Sequence, residues 1–174
     1  MSVSTGPFER IEAISEEHDL AGFDCGDPDF NDFIKNDAVK DKLENNSVTY
    51  IGFLEDGPAA YISLVAAAYQ SRLVLEKDRG DFRYNQVPAI KIARLATDLS
   101  FQNMGCGRFL MDYSVALALR IKKYIGVKLI ITDALPDKVR WYLGLGFILS
   151  SSAKISVTRK NYPMYQVLPK NIEG

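Results

Sequence analysis

The sequence predicts an α/β chain of the α+β kind: one central mixed sheet, mostly antiparallel, with helices on both faces. Three observations predict it. Ser47–Gln70 reads as two strands about the turn EDGP, whose Asp56-Gly57-Pro58 is the signal of an antiparallel hairpin. From Pro88 onward, strand and helix patterns alternate, which adds helices to the faces of a mixed sheet. No internal repeat, low-complexity tract or Pro/Gly/Ser linker divides the 174 residues, so one domain is expected over 1–174. With 47% hydrophobic and 25% charged residues, the chain can build a sizeable core and is neither disordered nor fibrous.

A short strand is expected around Phe8–Ile14. In FDCGDP, Asp27 caps a helix and Pro28 occupies its first turn, where a missing N–H costs nothing. Phe30, Phe33 and Ile34 follow at helical spacing, and the charged remainder through Lys42 forms a solvated face. The strands SVTYIGFL and AAYISLVAAAYQ come next. Ser71–Tyr84 is charged and irregular, a connection that fits a solvated loop or the border of a cleft. PAIKIARLATDL then reads as a central strand. After FQNMGCGR, the residues Phe109, Leu110, Tyr113, Ala116, Leu117, Ile121 and Tyr124 keep the 3.6 period, with Gly126 as the C-terminal stop. VKLIITDA is a strand, PDKVRWYLGL a helix begun by proline, and GFILS and YPMYQVLP are strands.

Charge and cysteine usage narrow the function classes. The 21 basic and 22 acidic residues leave a net charge of -1, whereas nucleic-acid binders draw most of their affinity from an excess of cations. Cys25 and Cys106 stand far apart and fit no zinc or redox spacing, so a reducing cytoplasm, no disulfide and no metal site are expected. The N-terminus lacks the basic-then-apolar pattern of a secretory signal. The apolar run Tyr61–Tyr69 is about half the length of a membrane span, and no membrane partner is expected.

The chemistry concentrates in LATDLSFQNMGCGR, Leu95–Arg108. A strand entering a helix through Gln102, Gly105 and Gly107 leaves backbone N–H groups unpaired at the positive end of the helix dipole. Such an end binds phosphate. Glycines at 105 and 107 remove obstructing Cβ atoms and open backbone torsions closed to other residues, and Arg108 adds a cation. Neither standard nucleotide fingerprint fits, and Q-x-x-G-x-G alone reads equally as a packing device. After the next strand, Tyr142, Gly146 and Phe147 form Y-x-x-x-G-F.

With both motifs in order, the chain resembles the GNAT superfamily of acetyl-CoA-dependent N-acetyltransferases. The resemblance implies the GNAT acyl-CoA N-acyltransferase fold. It assigns the backbone of Leu95, Ala96 and Thr97 to the pantetheine arm. The N–H groups of Gln102, Asn103, Met104, Gly105, Cys106, Gly107 and Arg108 would hold the pyrophosphate. It further implies direct attack of an amine on the thioester, with Tyr142 as the acid that protonates the CoA thiolate. Many members carry an asparagine seven residues before that tyrosine; Leu135 stands there. No general base is assigned. Asp98 and Asp133 end strands and read equally as turn residues, and His18, in ISEEHDL, reads as a solvated side chain.

FDCGDPDFNDFIKNDA resembles the opening of the GNAT branch that includes toxins of toxin–antitoxin pairs, with Phe30 in place of a leucine, and YPMYQVLP resembles that branch's last strand. The branch implies aminoacyl-tRNA as acceptor and an antitoxin protein as partner. Three readings follow: acetylation of a small or protein primary amine as the main one, a tRNA-acetylating toxin as the alternative, and a non-catalytic acyl-CoA sensor. The basic residues Arg120, Lys122 and Lys123, and Lys154, Arg159 and Lys160, read as exposed surface charge before a tRNA site. A second copy of the chain is a further candidate partner.

Overall fold

The computed structural model describes residues 6–150 and 160–170. Its elements are β1 (Arg10–Ala13), α1 (Pro28–Asp32), a π-helical stretch (Phe33–Asp37), α2 (Ala38–Leu43), β2 (Val48–Leu54), β3 (Gly57–Gln70), α3 (Glu76–Arg79), β4 (Gln86–Thr97), α4 (Cys106–Ile121), β5 (Leu129–Ala134), α5 (Val139–Gly144), β6 (Ile148–Leu149) and β7 (Tyr162–Val167). The strands form a seven-stranded sheet in the order β1-β2-β3-β4-β5-β7-β6. The registered pairs are antiparallel except β4 with β5, which runs parallel from Ala89 opposite Leu129 to Ile92 opposite Thr132. This is the mixed, mostly antiparallel sheet that the sequence predicts.

The chain divides into two compact units. The first comprises the chain up to Val65 together with Ala93–Ser114. In it, Asp27 caps α1 as expected, its carboxylate accepting from the N–H groups of Asp29 and Phe30. The β2–β3 hairpin turns on Glu55 and Asp56, both with positive φ, while Gly57 and Pro58 already belong to β3. The turn thus occupies the first half of the expected EDGP, and the second strand starts two residues earlier than expected, at Gly57. Leu54 pairs with Gly57, which leaves a two-residue loop, and the left-handed torsions at both its positions are those of the type I′ turn.

One face of this unit packs Ile51, Phe53, Tyr61 and Ala96 against Phe33, Ile34 and Ala38 of the helical segment. On the other face Tyr50 meets Tyr113 of α4 at 5.3 Å, and Phe8 meets Phe109 at 6.0 Å. Gly52 makes room there, since a Cβ would lie 2.5 Å from the Phe8 ring. Strand alternation therefore puts helices on both faces, as expected.

The second unit comprises Ala66–Ile92 and the chain from Val115 onward. Tyr69, Val87, Ala89, Leu129, Ile131 and Tyr165 form its core, and Val74 of the 71–84 connection packs into it. The Tyr165 hydroxyl donates to Asp78 at 2.6 Å and accepts from the Leu75 N–H at 3.0 Å. That connection is therefore anchored, with a 3₁₀ turn at Ser71–Leu73 and the short α3. Helix α4 ends at Ile121, short of the expected stop. Lys123 and Tyr124 donate to carbonyls three residues back, a tightening that ends the helix before Gly126 is reached.

Candidate active site

The strand-to-helix turn is built within the first unit. Strand β4 carries Leu95, Ala96 and Thr97 to Asp98, whose carboxylate accepts from the N–H groups of Ser100, at 2.8 Å, and Asp24, at 2.9 Å. Its N–H donates to Ala59, the residue left unpaired by the register shift in the hairpin. Asp98 is thus a buried structural cap, fully occupied by backbone donors. The Gln102 side chain donates back to the Thr97 carbonyl at 3.3 Å and closes the turn.

Among the described residues, the backbone N–H groups from Gln102 to Arg108 find no protein acceptor; the first closing bond runs from Phe109 to the Gly105 carbonyl. They stand at the N-terminus of the 16-residue α4, which has no acidic side chain in its first turn. The partial positive charge of that end is uncompensated. Gly105 has φ +82, and a Cβ there would meet nothing within 4 Å, so glycine serves the torsion and leaves the approach open. Asn103 also takes a left-handed torsion, φ 63, which the sequence reading missed. Asparagine tolerates it, a weak signal that was available. Gly107 lies inside α4 and is absent from the positive-φ glycines, so the torsional freedom expected of it is not used. Burial pushes the Cys106 thiol up and leaves it protonated.

Tyr142 belongs to the second unit. It is buried on α5, edge-on to Trp141 at 5.0 Å and to Phe147 at 5.3 Å. The motif has a local explanation. Gly146, at φ +88, ends the helix in a left-handed turn, and the Phe147 N–H donates to the Tyr142 carbonyl at 3.1 Å. The phenylalanine thereby folds back on the tyrosine. Burial raises the Tyr142 pKa above the ordinary phenol value, and a hydrogen bond with the Thr132 hydroxyl acts in the opposite direction. Thr132, buried at the end of the β4–β5 ladder, donates to the Ile92 carbonyl at 3.3 Å.

The remaining candidates for a base are engaged. Asp133 pairs with Lys91 at 2.6 Å. His18 is packed where a solvated side chain was expected: it stacks on Phe53 at 5.1 Å, Nδ1 accepts from the Ser15 N–H, and Nε2 bonds Glu12 at 2.8 Å. Leu135 precedes a 3₁₀ turn and supplies no side-chain cap. Lys122 donates to the Pro169 carbonyl, while Arg120, Lys123 and Lys160 are exposed. Lys154 and Arg159 lie outside the described residues. Among the described residues, no group of three or more His, Cys, Asp or Glu could hold a metal, and no helix is long and apolar enough to cross a membrane.

No family model matches the chain. A tRNA-acetylating toxin of Mycobacterium tuberculosis (strain ATCC 25618 / H37Rv) is 25% identical over 148 residues, covering 82% of this chain and 86% of that protein. Among solved structures, a mutant of KacT matches with a TM-score of 0.80 at 22% identity, over 91% of this chain and 94% of the other. AtaT complexed with acetyl-methionyl-tRNAfMet matches at 0.78 and 22%, with the same coverage. A mutant AtaT toxin bound to the C-terminus of the antitoxin AtaR and acetyl-CoA matches at 0.71 and 21%, over 91% and 92%. The chain therefore has the GNAT fold, and in sequence and structure it resembles the tRNA-acetylating toxins of toxin–antitoxin systems.

Proposed function

We propose that this chain is an acetyl-CoA-dependent N-acetyltransferase whose acceptor is the α-amino group of an aminoacyl-tRNA, acting in the cytoplasm as the toxin of a toxin–antitoxin pair. The observation that carries the reading is the row of unpaired N–H groups from Gln102 to Arg108 heading α4, with Gly105 open to close approach. The likeness to the mycobacterial tRNA-acetylating toxin and to AtaT supports aminoacyl-tRNA over the small or protein amine that composition alone favoured.

Acetyl-CoA supplies a thioester: the amine nitrogen bonds to its carbonyl carbon, and the C–S bond breaks as the tetrahedral adduct collapses. The backbone N–H groups of the turn hold the pyrophosphate, and the backbone of Leu95, Ala96 and Thr97 aligns the pantetheine arm. Tyr142 gives its phenolic proton to the departing sulfur. The proton released by the attacking nitrogen goes to water, since Asp98, Asp133 and His18 are all committed elsewhere. That favours an α-amine, with pKa about 8, over a lysine amine near 10.4, because about a fifth of the former is neutral at physiological pH against about a thousandth of the latter. An antitoxin protein is the expected macromolecular partner.

The test offers the purified protein acetyl-CoA with aminoacyl-tRNA, a lysine peptide or small amines. Acetylated aminoacyl-tRNA is the expected product, formed at a rate that Tyr142→Phe lowers by about a hundredfold or more. Acetylation of the peptide or small amine alone contradicts the reading.

A further inference from the structure

Arg94 lies on β4 just before the Leu95–Thr97 stretch, half-buried, with its Cζ 3.9 Å from the centroid of the Phe33 ring. Among the described residues no carboxylate lies within 4.0 Å of its guanidinium; the ion pairs found join other residues. Nearby Asp27, whose charge acts with that of Arg94 on the buried Tyr61 hydroxyl, is spent on capping α1. A half-buried cation without a counter-ion forgoes hydration that nothing in the fold replaces, apart from the aromatic face beneath it.

That aromatic face is held in place by an uncommon piece of backbone. Phe33 opens the π-helical stretch, and its carbonyl accepts from the Ala38 N–H five residues on. The wider turn puts both Phe33 and Ile34 in the core. Such turns are rare and recur at functional sites.

Strand alternation fixes the direction of Arg94. It shares a face of β4 with Ala96, which packs with Phe33, Tyr61, Ile51 and Phe53. Helix α4, headed by the glycine turn, covers the opposite face through Tyr113 and Phe109. An anion held by Arg94 would therefore be distinct from the pyrophosphate assigned to that turn. With its Cζ over the Phe33 ring and no ion pair among the described residues, the guanidinium keeps N–H donors for a ligand. Those donors match two oxygens of a phosphate.

We propose that Arg94, held over Phe33, binds a phosphodiester of the acceptor strand on the face of β4 opposite α4. This rests on the aminoacyl-tRNA reading, and the experiment separates the two. Initial rates are measured with acetyl-CoA and aminoacyl-tRNA over a range of salt, alongside a phosphate-free acceptor, the methyl ester of the same amino acid. Arg94→Gln is expected to raise KM for aminoacyl-tRNA about tenfold and to flatten the log–log salt dependence of kcat/KM by about 0.7 to 0.9. The acetyl-CoA Kd and turnover of the ester should stay as in the wild type. Arg94→Lys should keep the salt slope while recovering part of the KM, because an ammonium supplies the charge without the paired N–H edge. Phe33→Leu should raise KM with the slope retained.

An unchanged KM and salt slope in Arg94→Gln overturns the proposal. So does an equal loss on the ester, which makes Arg94 a support of the fold or of the chemistry, and so does a weakened acetyl-CoA Kd. A wild type that acetylates no aminoacyl-tRNA overturns this proposal and the acceptor reading together, whereas an indifferent Arg94→Gln on an active enzyme overturns this one alone.

Discussion

At the scale of single residues, the proposed chemistry turns on how Tyr142 keeps and releases its proton. Burial raises its pKa above the ordinary phenol value, so the group is protonated at physiological pH. An acid acts in its protonated form, so kcat should show no alkaline fall from Tyr142 below about pH 10. The Thr132 hydroxyl opposes the upward shift. Thr132→Val should therefore move the alkaline limb still higher and lower kcat by about tenfold, with the acetyl-CoA KM unchanged and Thr132→Ser restoring the loss. A pH–rate profile of both variants checks this, and an identical profile in Thr132→Val removes Thr132 from the account. The fold-back of Phe147 onto Tyr142 is set by a local pattern, Y-x-x-x-G-F. The roles of Asp98 and Asp133 were not legible in the sequence. Each is decided by a partner far along the chain, Asp24 at a separation of 74 residues and Lys91 at 42.

At the scale of elements, the same division holds. The start of α1 was readable because an aspartate cap acts on N–H groups two and three residues away. The end of α4 was misread because Tyr124 continues the period while its side chain is 90% exposed and packs into no core. The anchoring of the 71–84 connection lay beyond a sequence reading, since it depends on Tyr165, at a separation of 87 residues. The end of α5 is open to a direct test. Gly146→Ala puts a Cβ on a left-handed torsion, at a cost of about 1–2 kcal/mol. The melting temperature should fall by about 2–8 °C. Acetyl transfer should fall further than stability does, because Phe147 then loses its fold-back onto Tyr142. A variant as stable as the wild type contradicts the role given to this glycine.

At the scale of the whole molecule, the mixed sheet with helices on both faces was legible from the hairpin and the later alternation, and seven strands in a single order bear it out. Net charge favoured a small or protein amine as acceptor, whereas the relatives include a tRNA-acetylating toxin. A total of -1 is blind to where the cations stand, and the proposed role of Arg94 depends on its place on β4, which no sum over the chain reports.

The central claim, that the turn from Gln102 to Arg108 holds the acyl donor, can be tested without knowledge of the acceptor. Thermal unfolding of the wild type at acetyl-CoA about a hundred times its Kd should gain about 2.7 kcal/mol, a rise of about 5–10 °C. In Gly105→Glu, a side chain and a negative charge enter the open approach, and the rise should vanish while the ligand-free protein still unfolds cooperatively. An equal rise in both proteins would place acetyl-CoA elsewhere and contradict the account.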